Sequence, residues 1–333
     1  VDATPPLIRA ALAAASDAHG YPQTYGTPAL REAVAGWFAR RRGVPNLDPD
    51  GVLPTIGSKE LVAWLPTLLG LRTGDVVVHP EVAYPTYDVG ARLAGATPLP
   101  ADGTVQVGPT AGRVRLIWVN SPGNPTGRVL GVEHLRKMVD WARSIGAVLA
   151  SDECYAELGW DGVRVPSILD PEVCGGSHEG LLAVYSTSKQ SNLAGYRAAF
   201  VAGDPVLVRR LLEIRKHAGM IVPWPVQEAL RVALGDDEHV AEQRARYAVR
   251  REIVATALVK AGFEIDHSEA GLYLWSTRRE PCWDTVARFA DRGVLVAPGE
   301  FYGAAGARHV RVALTATDER IGRLGERLAD LPE

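Results

Sequence analysis

Lys189 closes the run Tyr185-Ser186-Thr187-Ser188-Lys189, Arg197 follows in Gly195-Tyr196-Arg197, and Asp152 precedes both in Ser151-Asp152-Glu153-Cys154-Tyr155. A lysine amine attacks an aldehyde once it has lost its proton, and burial beside other cations favours that neutral form. An ionised carboxylate keeps a ring nitrogen protonated by charge pairing. A guanidinium offers a bidentate fork to a phosphate. An amine, an anion and a cation in this order are what a protein offers to hold pyridoxal phosphate and use it as an electron sink. Taken singly, Lys189 reads as a solvated surface lysine and Asp152 as a helix cap, so the weight lies in the set.

Further side chains extend the set. Ser121-Pro122-Gly123-Asn124-Pro125-Thr126-Gly127 is composed almost wholly of turn formers. A turn this rigid fixes Asn124, and it predicts a cis bond before Pro125. Asn124 and Tyr155 can both donate to a phenolic oxygen on the same ring, although Tyr155 also reads as a core tyrosine with its hydroxyl satisfied. Gly57-Ser58-Lys59 opens the helical stretch Glu60-Leu61-Val62-Ala63-Trp64-Leu65, whose amides and dipole can cradle an anion, or simply cap a helix. Ser186 adds a hydroxyl to that phosphate site. Tyr84 can stack on the ring or staple the start of the next helix. Arg311, in His309-Val310-Arg311-Val312-Ala313-Leu314, points to the face opposite Val310 and Val312, which suits a site-facing cation and a solvated strand face equally well.

The elements that must position these groups are legible from about residue 50. Residues 75–79, 114–119, 147–150 and 181–185 are short, mostly apolar runs that suit strands buried on both faces of a parallel sheet. Between the second and third, Leu135, Met138, Val139, Ala142 and Ile145 recur at helical spacing, which completes a βαβ unit. Asn120, Asp152 and residues 186–189 each follow a strand, so they converge on one crevice beyond the carboxyl ends. A long charged helix over about 236–261 links this region to strands near 271–275, 294–297 and 309–314. Helices near 283–291 and 318–328 complete a compact α+β domain there.

Composition narrows the class. At 333 residues, two domains are expected. A net charge of -3 without a basic block gives no footprint for nucleic acid or an anionic membrane, and no apolar run is long enough to span one. Cys154, Cys174 and Cys282 are far apart and form no metal or disulfide pattern. A cytoplasmic enzyme with a small substrate is the expectation.

With these residues laid out, the sequence resembles the class I/II aminotransferases of PLP fold type I from about Tyr21 to the C-terminus. The resemblance rests on Tyr21 with residues 25–32, Asn124 to Gly127, Asp152 to Tyr155, Ser186 to Lys189, Arg197 and Arg311. It implies an α/β fold with a mostly parallel central sheet flanked by helices and a smaller C-terminal α+β domain. The implied division is an N-terminal segment over 1–27 near a dimer interface, a large cofactor-binding domain over 28–238 and a small domain over 239–333.

The resemblance also implies roles. Lys189 carries the cofactor and then moves the proton at the substrate Cα. Asp152 pairs with the ring nitrogen, Asn124 and Tyr155 hold the phenolic oxygen, and Tyr84 stacks on the ring. Ser58, Ser186 and Arg197 bind phosphate, which Tyr21 reaches in the neighbouring subunit of a homodimer. Arg311 takes the α-carboxylate of the amino-acid and 2-oxo-acid substrates.

Residues 55–61, 80–95 and 217–220 look most like actinobacterial succinyldiaminopimelate aminotransferases, which implies lysine biosynthesis with glutamate and 2-oxoglutarate. Lys59 matches a position that binds a distal carboxylate in some relatives, and otherwise reads as a solvated lysine. The resemblance also implies an N-terminal segment with a glycine that approaches the substrate, which is expected either to be absent or to precede Val1. Aspartate or aromatic aminotransferase, β-lyase and decarboxylase chemistry stay open on the same fold. A PLP-binding regulator domain is the alternative from another class, and the chain has no basic helix-turn-helix pattern to support it.

Overall fold

A computed structural model describes residues 2–329. Seven strands build the first sheet: β1 (Val52–Ile56), β2 (Val76–His79), β3 (Thr97–Pro100), β4 (Val114–Asn120), β5 (Val148–Asp152), β6 (Leu181–Ser186) and β7 (Ala198–Gly203). Their order is β1-β7-β6-β5-β4-β2-β3, with β7 antiparallel to both its neighbours and the pairs from β6 to β3 parallel. Consecutive residues of β4 enter different cores: Ile117 and Val119 pack on one face of the sheet, Leu116 and Trp118 on the other. Burial on both faces explains why β2, β4, β5 and β6 read as near-continuous apolar runs. The βαβ unit closes through the helix Val132–Ser144, whose Leu135, Val139 and Ala142 are buried against the sheet.

A second sheet, in the order β10-β11-β9-β8, is antiparallel and contains β8 (Glu264–Asp266), β9 (Tyr273–Thr277), β10 (Ala297–Pro298) and β11 (Val310–Ala313). The helix Glu238–Lys260 precedes it and contributes Val254 and Leu258 to a core shared with Leu272, Leu274, Val310 and Val312. That core also takes Tyr155 and Leu158 from the first sheet's side, so the site lies where the two cores meet.

Two expectations need correction. The strand near 294–297 pairs only at Ala297–Pro298, because Leu295 faces solvent instead of a partner. The helix near 318–328 is broken into Asp318–Gly322 and Leu324–Leu328. No helix among the described residues is long and apolar enough to cross a membrane, and no cluster among them could hold a metal ion.

Candidate active site

Parallel pairing aligns the strand ends. Asn120 stands opposite Asp152, and Asp152 opposite Val184, two residues before Ser186. Side chains from three strands therefore leave the sheet at one edge. The Asn120 amide donates to the Asp152 carbonyl at 2.9 Å and to the Pro122 carbonyl at 3.1 Å, while its Oδ1 accepts from Asn124 N–H at 2.8 Å. This ties the turn down. The Asn124–Pro125 bond is cis, as the turn predicts, and Ser121–Pro122 is cis as well.

Asp152 is buried, and its carboxylate accepts from the Tyr87 hydroxyl at 2.9 Å and from Cys154 N–H at 3.2 Å. Burial raises its pKa against the pull of the Cys154 and Tyr87 donors and of the nearby Lys189 charge. The same burial pushes the Tyr87 phenol and the Cys154 thiol well up, so both stay protonated and available to donate. Tyr87 is itself fixed by stacking on Trp118 at 5.0 Å between centroids.

Lys189 lies in the short helix Thr187–Gln190, which begins where β6 ends and is capped by Ser186. Its Nζ stands 5.9 Å from the centroid of the Tyr155 ring. Tyr155 donates to the Tyr273 hydroxyl at 3.3 Å. Burial alone would raise the Tyr273 phenol, but the Lys189 and Arg311 charges beside it bring it below its usual value. Tyr155, with less compensation, is held well above its own.

Arg311 does not sit on a solvated strand face. Its Nη1 donates to Asn124 Oδ1 at 3.0 Å, and its guanidinium lies 3.8 Å from the Tyr273 ring centroid and 5.1 Å from that of Tyr302. The Asn124 carbonyl oxygen is thus engaged, which leaves its amide to donate elsewhere.

Ser58 opens the helix Ser58–Leu68 behind Gly57, whose φ of 75° is left-handed. Arg197 crosses that turn so closely that a Cβ at Gly57 would fall 1.9 Å from Arg197 Nη2. Only glycine leaves this space. Ser186 is buried, donates to Ser188 Oγ at 2.8 Å and accepts from Ser188 N–H at 3.2 Å. Ser58 and Arg197 thus meet at the Gly57 turn, the candidate phosphate cup, while Ser186 closes β6. Tyr84 is half-buried and meets Tyr87 edge-on at 5.9 Å; exposed Lys59 places Nζ 5.8 Å from the Tyr84 centroid. Tyr21 is fully exposed and touches none of the others.

An amine, a buried carboxylate, clustered tyrosines and a guanidinium over a glycine-opened helix N-terminus fit pyridoxal phosphate as a donor set. The family described as aminotransferase class I and II matches residues 2–328. This chain belongs to that pyridoxal-phosphate-dependent family. It is 60% identical over 328 residues to the 4-dedimethylamino-4-oxo-anhydrotetracycline transaminase of Streptomyces rimosus, covering 98% of this chain and 90% of that one. It is 61% identical over 328 residues to a probable aminotransferase of Mycobacterium tuberculosis, covering 98% and 78%. Among solved structures, the probable N-succinyldiaminopimelate aminotransferase of Thermus thermophilus superposes with a TM-score of 0.88 at 29% identity, covering 99% and 92%.

The structure adds residues that sequence reasoning did not single out. Tyr87 had no local signal, because its importance comes from Asp152, 65 residues away. Cys154 lies between two residues already chosen, Asp152 and Tyr155. Tyr273 and Tyr302 had no local signal, because their importance comes from Arg311.

Proposed function

We propose that this aminotransferase moves an amino group between N-succinyl-diaminopimelate and the glutamate/2-oxoglutarate pair, as a cytoplasmic homodimer in lysine biosynthesis. The observation that carries the reading is the pair of cations flanking the tyrosines. Arg311, held by Asn124, receives the α-carboxylate, and Lys59, beside Tyr84, receives a distal one. Both proposed partners carry carboxylates at two ends. The diaminopimelate-related neighbour in Thermus supports the same substrate class.

The roles follow from the side chains. When bound, pyridoxal phosphate supplies the electron sink. Lys189 holds it and moves the proton at the substrate Cα, while Asp152 keeps the ring nitrogen protonated. Asn124 and Tyr155 donate to the phenolic oxygen, Tyr84 covers the ring, and Ser58, Ser186 and Arg197 take the phosphate. Tyr21, exposed in one subunit, reaches the phosphate of its partner. The proposed division at 27/28 and 238/239 places the crevice between a large and a small domain, the latter beginning with the helix Glu238–Lys260.

A second reading is favoured by the 60% identity to a transaminase named for an oxo-anhydrotetracycline: the acceptor is a polycyclic ketone, met by Tyr84, Tyr155, Tyr273 and Tyr302. Purified enzyme assayed with N-succinyl-diaminopimelate, diaminopimelate, aspartate and aromatic amino acids against 2-oxoglutarate, and with glutamate against a polycyclic ketone as acceptor, separates the two. Highest kcat/KM for the succinylated donor, and its loss in Lys59→Ala, supports the first. Indifference to Lys59 refutes the distal-carboxylate role.

A further inference from the structure

Arg215 has no place in the chemistry above, yet its side chain is fully buried, and both terminal nitrogens are committed to one carboxylate. Nη1 donates to Glu60 Oε1 at 2.7 Å and Nη2 to Glu60 Oε2 at 3.0 Å. Glu60 is the third residue of the helix Ser58–Leu68, and its Oε2 also accepts from Ile56 N–H at 3.2 Å. The turn between them is pinned from the other side, where Gly57 N–H donates to the Arg197 carbonyl at 2.8 Å. Glu60 therefore stands directly behind Gly57, Ser58 and Arg197.

This placement creates a conflict. A carboxylate in the first turn of a helix is attracted to the same exposed N–H groups that a phosphate would use. An unpaired Glu60 would also repel a phosphate dianion through a poorly screened interior. We propose that Arg215 is a positioning residue for the cofactor phosphate. It cancels the Glu60 charge and fixes that carboxylate on Ile56 N–H, which keeps the helix N-terminus electropositive for the phosphate. Leu, Met or any neutral side chain at 215 would leave a half-buried anion behind the cup. The inference rests on the phosphate lying at Gly57, Ser58 and Arg197.

The test measures binding of two aldehydes, pyridoxal phosphate and pyridoxal, to cofactor-free protein by equilibrium dialysis. Circular dichroism checks the fold of each variant. Arg215→Met is expected to weaken pyridoxal phosphate about tenfold or more and to change pyridoxal by less than about twofold, because the repulsion acts on the phosphate. The double variant Arg215→Met/Glu60→Gln, which removes both charges, is expected to recover pyridoxal phosphate affinity to within about threefold of the parent. Equal losses for both aldehydes, or a double variant as weak as the single one, would overturn the inference. If Arg215→Met alone does not fold, the double variant decides: a phosphate preference within about threefold of the parent supports the inference, and a larger loss overturns it. Arg197→Met controls for the site itself. If that change leaves the preference for the phosphorylated aldehyde intact, the phosphate lies elsewhere and the placement fails, independently of Arg215.

Discussion

Replacing Tyr87 with phenylalanine removes one oxygen and leaves the ring stacked on Trp118, so the change isolates the hydrogen bond to Asp152. A bond of this kind, between buried groups with one of them ionised, contributes about 1.5–3 kcal/mol, which corresponds to about one to two pKa units on the carboxylate. Burial already holds the Asp152 pKa above its ordinary value of 3.8. In the cofactor-free protein the folded chain thus binds this proton more tightly than the unfolded chain. Stability from this group is present below pH 3.8 and is lost as pH rises through the folded value. Loss of the Tyr87 donor raises the folded value further and extends that loss to higher pH. Urea unfolding of cofactor-free wild type and Tyr87→Phe at a series of pH values should show a gap that widens from acid toward neutral pH, reaching about 1.5–3 kcal/mol. A gap that is absent, or constant with pH, would refute the reasoning. On the proposed role of Asp152 at the ring nitrogen, the same variant is expected to lose about tenfold or more in kcat, since the carboxylate then gives up its negative charge more easily.

Three further outcomes follow from the contacts. Arg311→Lys replaces a fork by a point charge and loses the stack on Tyr273; KM for every amino-acid donor should rise about tenfold or more with kcat changed less, as steady-state kinetics would show. Gly57→Ala puts a Cβ into Arg197 at a left-handed backbone position, so pyridoxal phosphate affinity should fall about tenfold in equilibrium dialysis while the circular dichroism spectrum is kept. Tyr273→Phe removes a phenol that burial would raise but that Lys189 and Arg311 bring below its usual value; the alkaline decline of kcat/KM should move to higher pH.

β2, β4, β5 and β6 were legible because they are buried on both faces and so are mostly apolar along their length, whereas the edge strand β3, exposed at Thr97 and Pro100, carries no such run. β1, β3 and β7 escaped notice: in β7, Ala198, Ala199 and Ala202 carry little strand preference, and their place between β1 and β6 is set by tertiary pairing. The Val294–Ala297 run shows the converse, since an apolar segment becomes a strand only where a neighbour offers hydrogen bonds. The convergence of Asn120, Asp152 and residues 186–189 on one sheet edge was readable because each follows an apolar strand. Tyr87 joins Asp152 across 65 residues, and Tyr155 joins Tyr273 across 118; nothing at either end announces the other. The two readings of Arg311 were separable only by the Asn124 contact, which spans 187 residues.

The claim on which the rest depends is that Lys189 carries the cofactor. Borohydride reduction of the protein with pyridoxal phosphate, followed by peptide mass mapping, tests it most directly. The account predicts one stoichiometric adduct on the peptide containing Lys189, absent from Lys189→Ala along with all turnover. A stoichiometric adduct on another lysine, with Lys189 unmodified, would contradict it.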